Sequence, residues 1–305
     1  MASEFERIAR LKNIFGEGES GSGVGDDAAV VNANGRFVWT IDAQVENVHF
    51  KREWLSMRDI GYRAVMAAAS DLAAMGAKPT GVLVALIAPT SLSESEFDEL
   101  ALGERDAADE LGTSVIGGNL AGGEPLSLTT TCVGHCAAPV LRSGARAGDT
   151  IWCAGDLGVA AVGLKALMEG QSSNEAVSAW RRPRARIADG LAMRGVASAA
   201  IDVSDGLVQD AGHLAESSGV RLVIDVDALM RGAELLHESA KKAGFSARSA
   251  ALFGGEDYAL LATSPTPIKG FRQIGKVIEG AGVWLREGGE EGPVDITGFD
   301  HFRAS

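Results

Sequence analysis

The chain has 305 residues, 46% of them hydrophobic and 23% charged, with no low-complexity tract; this is an ordinary globular mixture, long enough for two domains with a core each. A formal charge of −13 and a pI near 4.9 exclude a broad electrostatic grip on nucleic acid or on an anionic membrane. Any anionic ligand must then be held locally, and divalent cations are one means by which carboxylates can do so.

The opening MASEFERIARLKNIF spaces Phe5, Ile8 and Leu11 as an amphipathic helix and lacks the unbroken apolar run of a secretory signal, which points to a cytoplasmic protein. The glycine-rich GEGESGSGVGDD follows, then a short strand AAVV and a turn at Asn32–Gly35. The β-formers Phe37–Ile41 predict a strand that delivers Asp42 at its C-terminal end. Ser56 with Asp59 makes a capping box for a helix running toward Gly76, with Ile60, Ala64, Val65, Ala68, Leu72 and Met75 turned inward. VLVALIA, Val82–Ala88, is too short to span a bilayer and fits a buried strand. A second capping box, Ser93 and Glu96, starts a helix striped by Phe97, Leu100, Ala107 and Leu111 and stopped by Gly112. Ser114–Ile116 predicts a short strand feeding a turn, GGNLAGG, and Ser127–Gly134 a longer strand.

CVGHC, Cys132–Cys136, has the look of a metal clip. On a strand, however, Cys132 and Cys136 share one face while His135 takes the other, and with Cys153 the three thiols are too few for a disulfide framework, so they are expected to be reduced. LRSGARAGD reads as a connector, and IWCAGDLG as a new strand, glycine turn and helix, so the boundary is set between residues 1–138 and 139–305. Alternation continues with strands near Ser198–Val203, Arg221–Val226 and Ala259–Ala262. The fold class expected is α/β: two domains, each a mixed sheet covered by helices.

Familiar phosphate motifs fail. GEGESG matches G-x-G-x-x-G by letter but follows a helix, precedes none, and would set Glu17 and Glu19 against a pyrophosphate. GFRQIGKV ends in Val277 where a P-loop needs Ser or Thr for magnesium, and it reads as a strand. There is no G-x-S-x-G elbow and no H-E-x-x-H pair. What recurs instead is carboxylates at the ends of elements: Asp26 and Asp27, Asp42, Asp71, Asp202 and Asp205, Glu256 and Asp257. Taken singly, each is explained as a turn or cap residue; taken together, they form an oxygen-rich set of the kind that suits Mg²⁺.

GVGDDAAVV, TIDAQVENVHF, SDLAAMGAKP, IGGNLAGG, LRSGARAGD, AIDVSDGL, GGEDYALL and the closing GFDHF occur in an order and spacing that resemble the thiamine-monophosphate kinases of the aminoimidazole ribonucleotide synthetase-like superfamily, over essentially the whole chain. The resemblance implies that architecture, with an N-terminal domain that binds ATP and Mg²⁺ and dimerises and a C-terminal domain that completes the substrate site. It implies transfer of the γ-phosphoryl of ATP to thiamine monophosphate in a homodimer, with no nucleic-acid or membrane partner. It further implies that Asp27, Asp42, Asp71 and Asp202 carry several Mg²⁺ ions, with Thr40 nearby and Asp205 on a further ion. Gly118, Asn119, Arg142 and Ser204 would contact ATP, and His49, Glu256 and Phe299 would hold thiamine monophosphate. His49 also reads as a strand-end histidine, and Phe299 as a core plug. Asn119 stands where the pattern has Asp, a weaker ligand for a hard cation; Ile41 replaces a Thr and Ala68 an Asn. These departures leave two other readings: another ATP-using member of the superfamily, or a nucleotide-binding scaffold without turnover.

Overall fold

The computed structural model describes residues 10, 11, 13, 14, 35–171 and 174–294. The expectations for GEGESG, AAVV, Asp26, Asp27 and Phe299 fall outside these residues. The chain divides into two compact units, Met1–Leu72 with Ala77–Ala137, and Ala73–Gly76 with Ala138–Ser305.

The first unit is built on a four-stranded sheet of β1 (Arg36–Val45), β2 (Lys78–Ala88), β3 (Val115–Gly122) and β4 (Ser127–Cys136) in the order β1-β4-β2-β3. β4 runs antiparallel to β1 and β2, and β3 parallel to β2. Two helices belong with it, α1 (Met57–Ala74) and α2 (Glu94–Glu110). The second capping box is borne out and the first in half, the Asp59 carboxylate accepting from the Ser56 hydroxyl at 2.7 Å. The Ser56 hydroxyl accepts the Asp59 N–H at 3.1 Å, and Ser93 and Glu96 form a reciprocal box. Of the inward set, Ile60, Ala64, Val65, Ala68 and Leu72 are at most 1% exposed, each large member contributing about 1.5–3 kcal/mol of burial, while Met75, beyond the helix end, is half-buried.

The sequence reading erred at GGNLAGG, which is not a turn: it lies mostly within β3 and pairs with Leu83–Ala88. At Gly118 a Cβ would collide with the carbonyl oxygen of Val84, so glycine serves close approach of two strands here rather than a reversal. β1 is also longer than expected. It continues to Val45, so Asp42 stands inside the strand, opposite Thr130, and not at its end.

Among the described residues the second unit holds seven strands: β5 (Thr150–Ala154), β6 (Ala199–Val203), β7 (Arg221–Asp225), β8 (Ala259–Ser264), β9 (Arg272–Ile278), β10 (Gly282–Glu287) and β11 (Glu290–Pro293), ordered β11-β10-β7-β9-β5-β8-β6. Only β7 with β10 is a parallel pair; the others are antiparallel. β9 is the stretch that nearly matched a P-loop. The β10–β11 hairpin turns on Gly288 and Gly289, both at positive φ, a pairing the sequence reading passed over. Helices α3 (Val159–Met168), α4 (Glu175–Arg181), α5 (Ile187–Ala192), α6 (Leu207–Ser218), α7 (Val226–Met230), α8 (Glu234–Lys242) and α9 (Ala247–Phe253) complete the unit. Ile151, Ile201, Leu207, Leu214, Leu222, Leu252 and Ile274, none more than 1% exposed, centre its main core. Among the described residues no helix is long and apolar enough to cross a membrane.

Candidate functional site

In the first unit, alternation along β1 turns Val38, Thr40, Asp42 and Gln44 to one face of the sheet and Phe37, Trp39 and Ile41 to the other. The Thr40 hydroxyl donates to Asp71 Oδ2 on α1, which places the helix over the Thr40 face. Cys132, opposite Thr40 on β4, reports both carboxylates: burial pushes its thiol up to about 12, and the negative charges of Asp71 and Asp42 add to the rise. Asp42, Thr130, Val84 and Gly118 form one transverse row of the sheet, which sets Asp42 and Gly118 three strand steps, about 14 Å, apart. Asn119 falls in the next row, with Ala85, Thr129 and Ala43, on the opposite face from Asp42. His49 follows β1 in a turn in which its Nδ1 accepts the Val45 N–H at 3.1 Å, so the ring's hydrogen belongs on Nε2 when it is neutral.

In the second unit, the IDVSDGL motif is the end of β6, a turn, and the start of α6. Asp202 is 5% exposed on β6, and Gly206 makes the turn at φ 120°, a conformation L side chains avoid. Ser204 and Asp205 sit in the turn, half-buried. A residue that sequence reasoning passed over organises it: Asp210 Oδ2 accepts the N–H groups of Ser204, Asp205 and Gly206 at 3.0, 3.1 and 3.2 Å. Burial raises the Asp210 carboxyl to about 7; the Asp202 charge raises it too, and the backbone donors oppose. The GGEDY segment lies against the same turn, with the Glu256 N–H donating to the Ser204 carbonyl at 2.7 Å and the Tyr258 N–H to that of Val203 at 2.9 Å. The second unit thus brings Asp202, Ser204, Asp205 and Glu256 together. Arg142 lies in the exposed connector before β5, its carbonyl accepting from the Ser218 hydroxyl at 3.0 Å.

Asp257 was grouped with the site by sequence, yet it works inside the fold. Its two oxygens accept the N–H groups of Gly158 and Ala160 at 2.5 and 3.0 Å, capping α3 from 99 and 97 positions away. Burial holds its carboxyl up at about 7.

The donors available for a cation, carboxylates and one hydroxyl, are hard oxygens and fit Mg²⁺ rather than a softer metal. Among the described residues, no three His, Cys, Asp or Glu side chains are gathered closely enough to hold a metal ion, and this includes the CVGHC stretch. A cation bound here needs oxygens from a ligand to fill its shell.

Two mixed sheets with flanking helices and acidic turns at strand ends define the class. Residues 25–136 match the AIR synthase related protein, N-terminal domain. The hydrogenase maturation protein HypE of E. coli superposes with a TM-score of 0.76 over 97% of this chain and 98% of its own, at 18% identity, which speaks to the fold alone. The kinship narrows further. The thiamine-monophosphate kinase of Mycobacterium tuberculosis is 36% identical over 277 residues, 88% of this chain and 82% of the relative, and that of Aquifex aeolicus 34% identical over 289 residues, 92% of each. The solved structure of AaThiL complexed with AMPPCP and TMP superposes with a TM-score of 0.82 at 32% identity, covering 98% of this chain and 97% of that one. The chain belongs to the thiamine-monophosphate kinase family.

Proposed function

We propose that this chain transfers the γ-phosphoryl group of ATP directly to the phosphate of thiamine monophosphate, giving thiamine diphosphate and ADP. The observation that carries the reading is the near full-length likeness to a relative solved with AMPPCP and TMP. The first domain, residues 1–138, would bind nucleotide and metal, and the second, 139–305, would complete the substrate site.

Asp42 and Asp71, with Thr40 ordering Asp71, are the metal-holding oxygens of the first unit; Asp202 and Asp205 are those of the second, and Asp27 joins them by its motif. Bound Mg²⁺ would neutralise phosphate charge that these carboxylates alone would repel. Gly118 and Asn119 offer a stretch of strand with little side-chain bulk beside the nucleotide, Ser204 a hydroxyl, and Arg142 a guanidinium for phosphate. Glu256 faces the cationic thiazolium, with Phe299 supplying an aromatic surface and His49 a ring nitrogen. No strong general base is needed, because a phosphate monoester with a second pKa of about 6 is already ionised near neutral pH. The reaction belongs in the cytoplasm, where its soluble polyanionic substrates meet.

A homodimer is part of the reading. Phe37, Trp39 and Ile41 are 47%, 62% and 68% exposed along one face of β1, which among the described residues is an edge strand, an apolar stripe of the kind that calls for a partner sheet.

The test is a product assay with ATP and thiamine monophosphate, alongside calorimetry of ATP binding with Mg²⁺ and with EDTA. Thiamine diphosphate should form, ATP affinity should fall sharply in EDTA, and Asp71→Asn should abolish turnover while the fold persists. Equal ATP affinity in both buffers would refute the metal bridge. Tight nucleotide binding without product would mark a scaffold.

A further inference from the structure

Three non-glycine residues among those described have positive φ, and two of them, Glu256 at 66° and Tyr258 at 49°, stand in the same short segment. Backbone of this kind persists only where its surroundings over-determine it, and it gathers at functional sites. Here the restraints can be named. The Glu256 and Tyr258 N–H groups are tied to the carbonyls of Ser204 and Val203, and Asp257 between them is tied to the start of α3. At Gly255 a Cβ would collide with the Ser204 carbonyl oxygen.

These contacts fix the backbone of Glu256 but not its side chain. That is fixed from α4, where Trp180, 1% exposed, donates its indole N–H to Glu256 Oε2. An indole nitrogen only donates, and when buried it requires an acceptor. A carboxylate is the strongest acceptor a side chain offers, and the bond favours a single orientation. A phenylalanine would fill most of the same volume without making that bond. Trp180 can therefore govern the orientation of Glu256 through this bond.

We propose that Trp180 is the positioning residue for Glu256, holding the carboxylate that recognises the cationic ring of the phosphoryl acceptor and so setting affinity for that substrate and not for ATP. The inference rests on the kinase reading above.

Four proteins test it: the parent, Trp180→Phe, Glu256→Gln and the double variant. Each is measured for kcat, for KM of both substrates, for thiamine-monophosphate binding by calorimetry without ATP, and for melting temperature. Trp180→Phe should weaken thiamine-monophosphate KM and Kd about tenfold or more, the scale of a hydrogen bond to a charged group, and leave the KM for ATP within about twofold. In the Glu256→Gln background the same change should cost less than in the parent, because the amide oxygen can still accept the indole N–H but carries no charge to hold against the cationic ring. Should Trp180→Phe not fold, the parent decides by the NMR signal of the Trp180 indole N–H, which should shift on addition of thiamine monophosphate and not of ATP; a signal that ignores both would overturn the proposal. Equal effects on both substrates, no effect, or additive effects in the double variant would overturn the proposal. A parent that neither binds nor phosphorylates thiamine monophosphate would instead overturn the kinase reading and this inference with it.

Discussion

Glu104 is a carboxyl group buried in the first unit, 4% exposed on α2. α1 and α2 meet so closely that a Cβ on Gly61 would collide with the Leu100 carbonyl, and one on Gly103 with that of Arg58. Burial alone raises the Glu104 carboxyl from 4.5 to about 8. The folded chain therefore keeps this proton at pH 7 while the unfolded chain has released it. Folding takes up a proton between the two values, so stability is complete below pH 4.5, falls as pH rises toward about 8, and levels off above. At about 1.4 kcal/mol per pH unit, the loss between pH 4.5 and pH 7 is about 3 kcal/mol. Glu104→Met keeps the length of the side chain and removes the proton, at a repacking cost below about 1.5 kcal/mol. Calorimetric melting of parent and variant from pH 5 to pH 8 is the assay. The variant should melt a few degrees or more above the parent at pH 7, with the gap closing toward pH 5. A parent whose stability does not fall over that range, or a variant less stable than the parent at pH 8, would refute the reasoning.

Two other outcomes are expected. Asp210→Ala leaves the N–H groups of Ser204, Asp205 and Gly206 without their acceptor, which should destabilise the protein by on the order of 3 kcal/mol and weaken Mg²⁺–ATP binding more than thiamine-monophosphate binding; an unchanged melting temperature would show that another group serves those donors. If the parent is the proposed dimer, Trp39→Glu combined with Ile41→Glu charges the exposed stripe of β1 and should turn it into a monomer in analytical ultracentrifugation; a monomeric parent would refute the dimer, and a variant that stays dimeric would place the interface elsewhere.

The parts of this fold that were legible in the sequence are those whose cause is local. Ser93 and Glu96 are three residues apart and cap the same turn, and Gly112 at φ 67° ends the helix they begin. IDVSDGL announces strand, turn and helix by composition alone. The errors came where a residue answers to something distant. Gly117 and Gly118 carry the composition of a turn, yet the demand on Gly118 comes from Val84 on the neighbouring strand. That error also coloured the reading of Asn119. In a turn its missing charge bears directly on a cation, whereas in a strand alternation sends its side chain to the face opposite Asp42. The roles of Asp257, named only as one of the carboxylates, and of Trp180 were not legible for the same reason, since the groups they serve lie 99 and 76 positions away in the chain.

How the second unit uses its carboxylates bears on how an acidic protein could hold two phosphate-bearing substrates. Backbone N–H groups before and at helix starts are a ready means of binding phosphate without metal. Here several are already occupied from within. Asp210 fills the three donors of the turn ahead of α6, and Asp257 fills two at the start of α3. A phosphate approaching that turn meets Asp202 and Asp205 and finds its nearest backbone donors engaged. Attraction would then have to come from added positive charge, of which Arg142 in its proposed role would supply one unit against the several carried by a triphosphate and a phosphate monoester. Divalent cations shared between the carboxylates and the phosphates, as proposed above, would resolve the imbalance, and they would make ATP affinity depend on Mg²⁺ more steeply than in a site built on free helix N-termini.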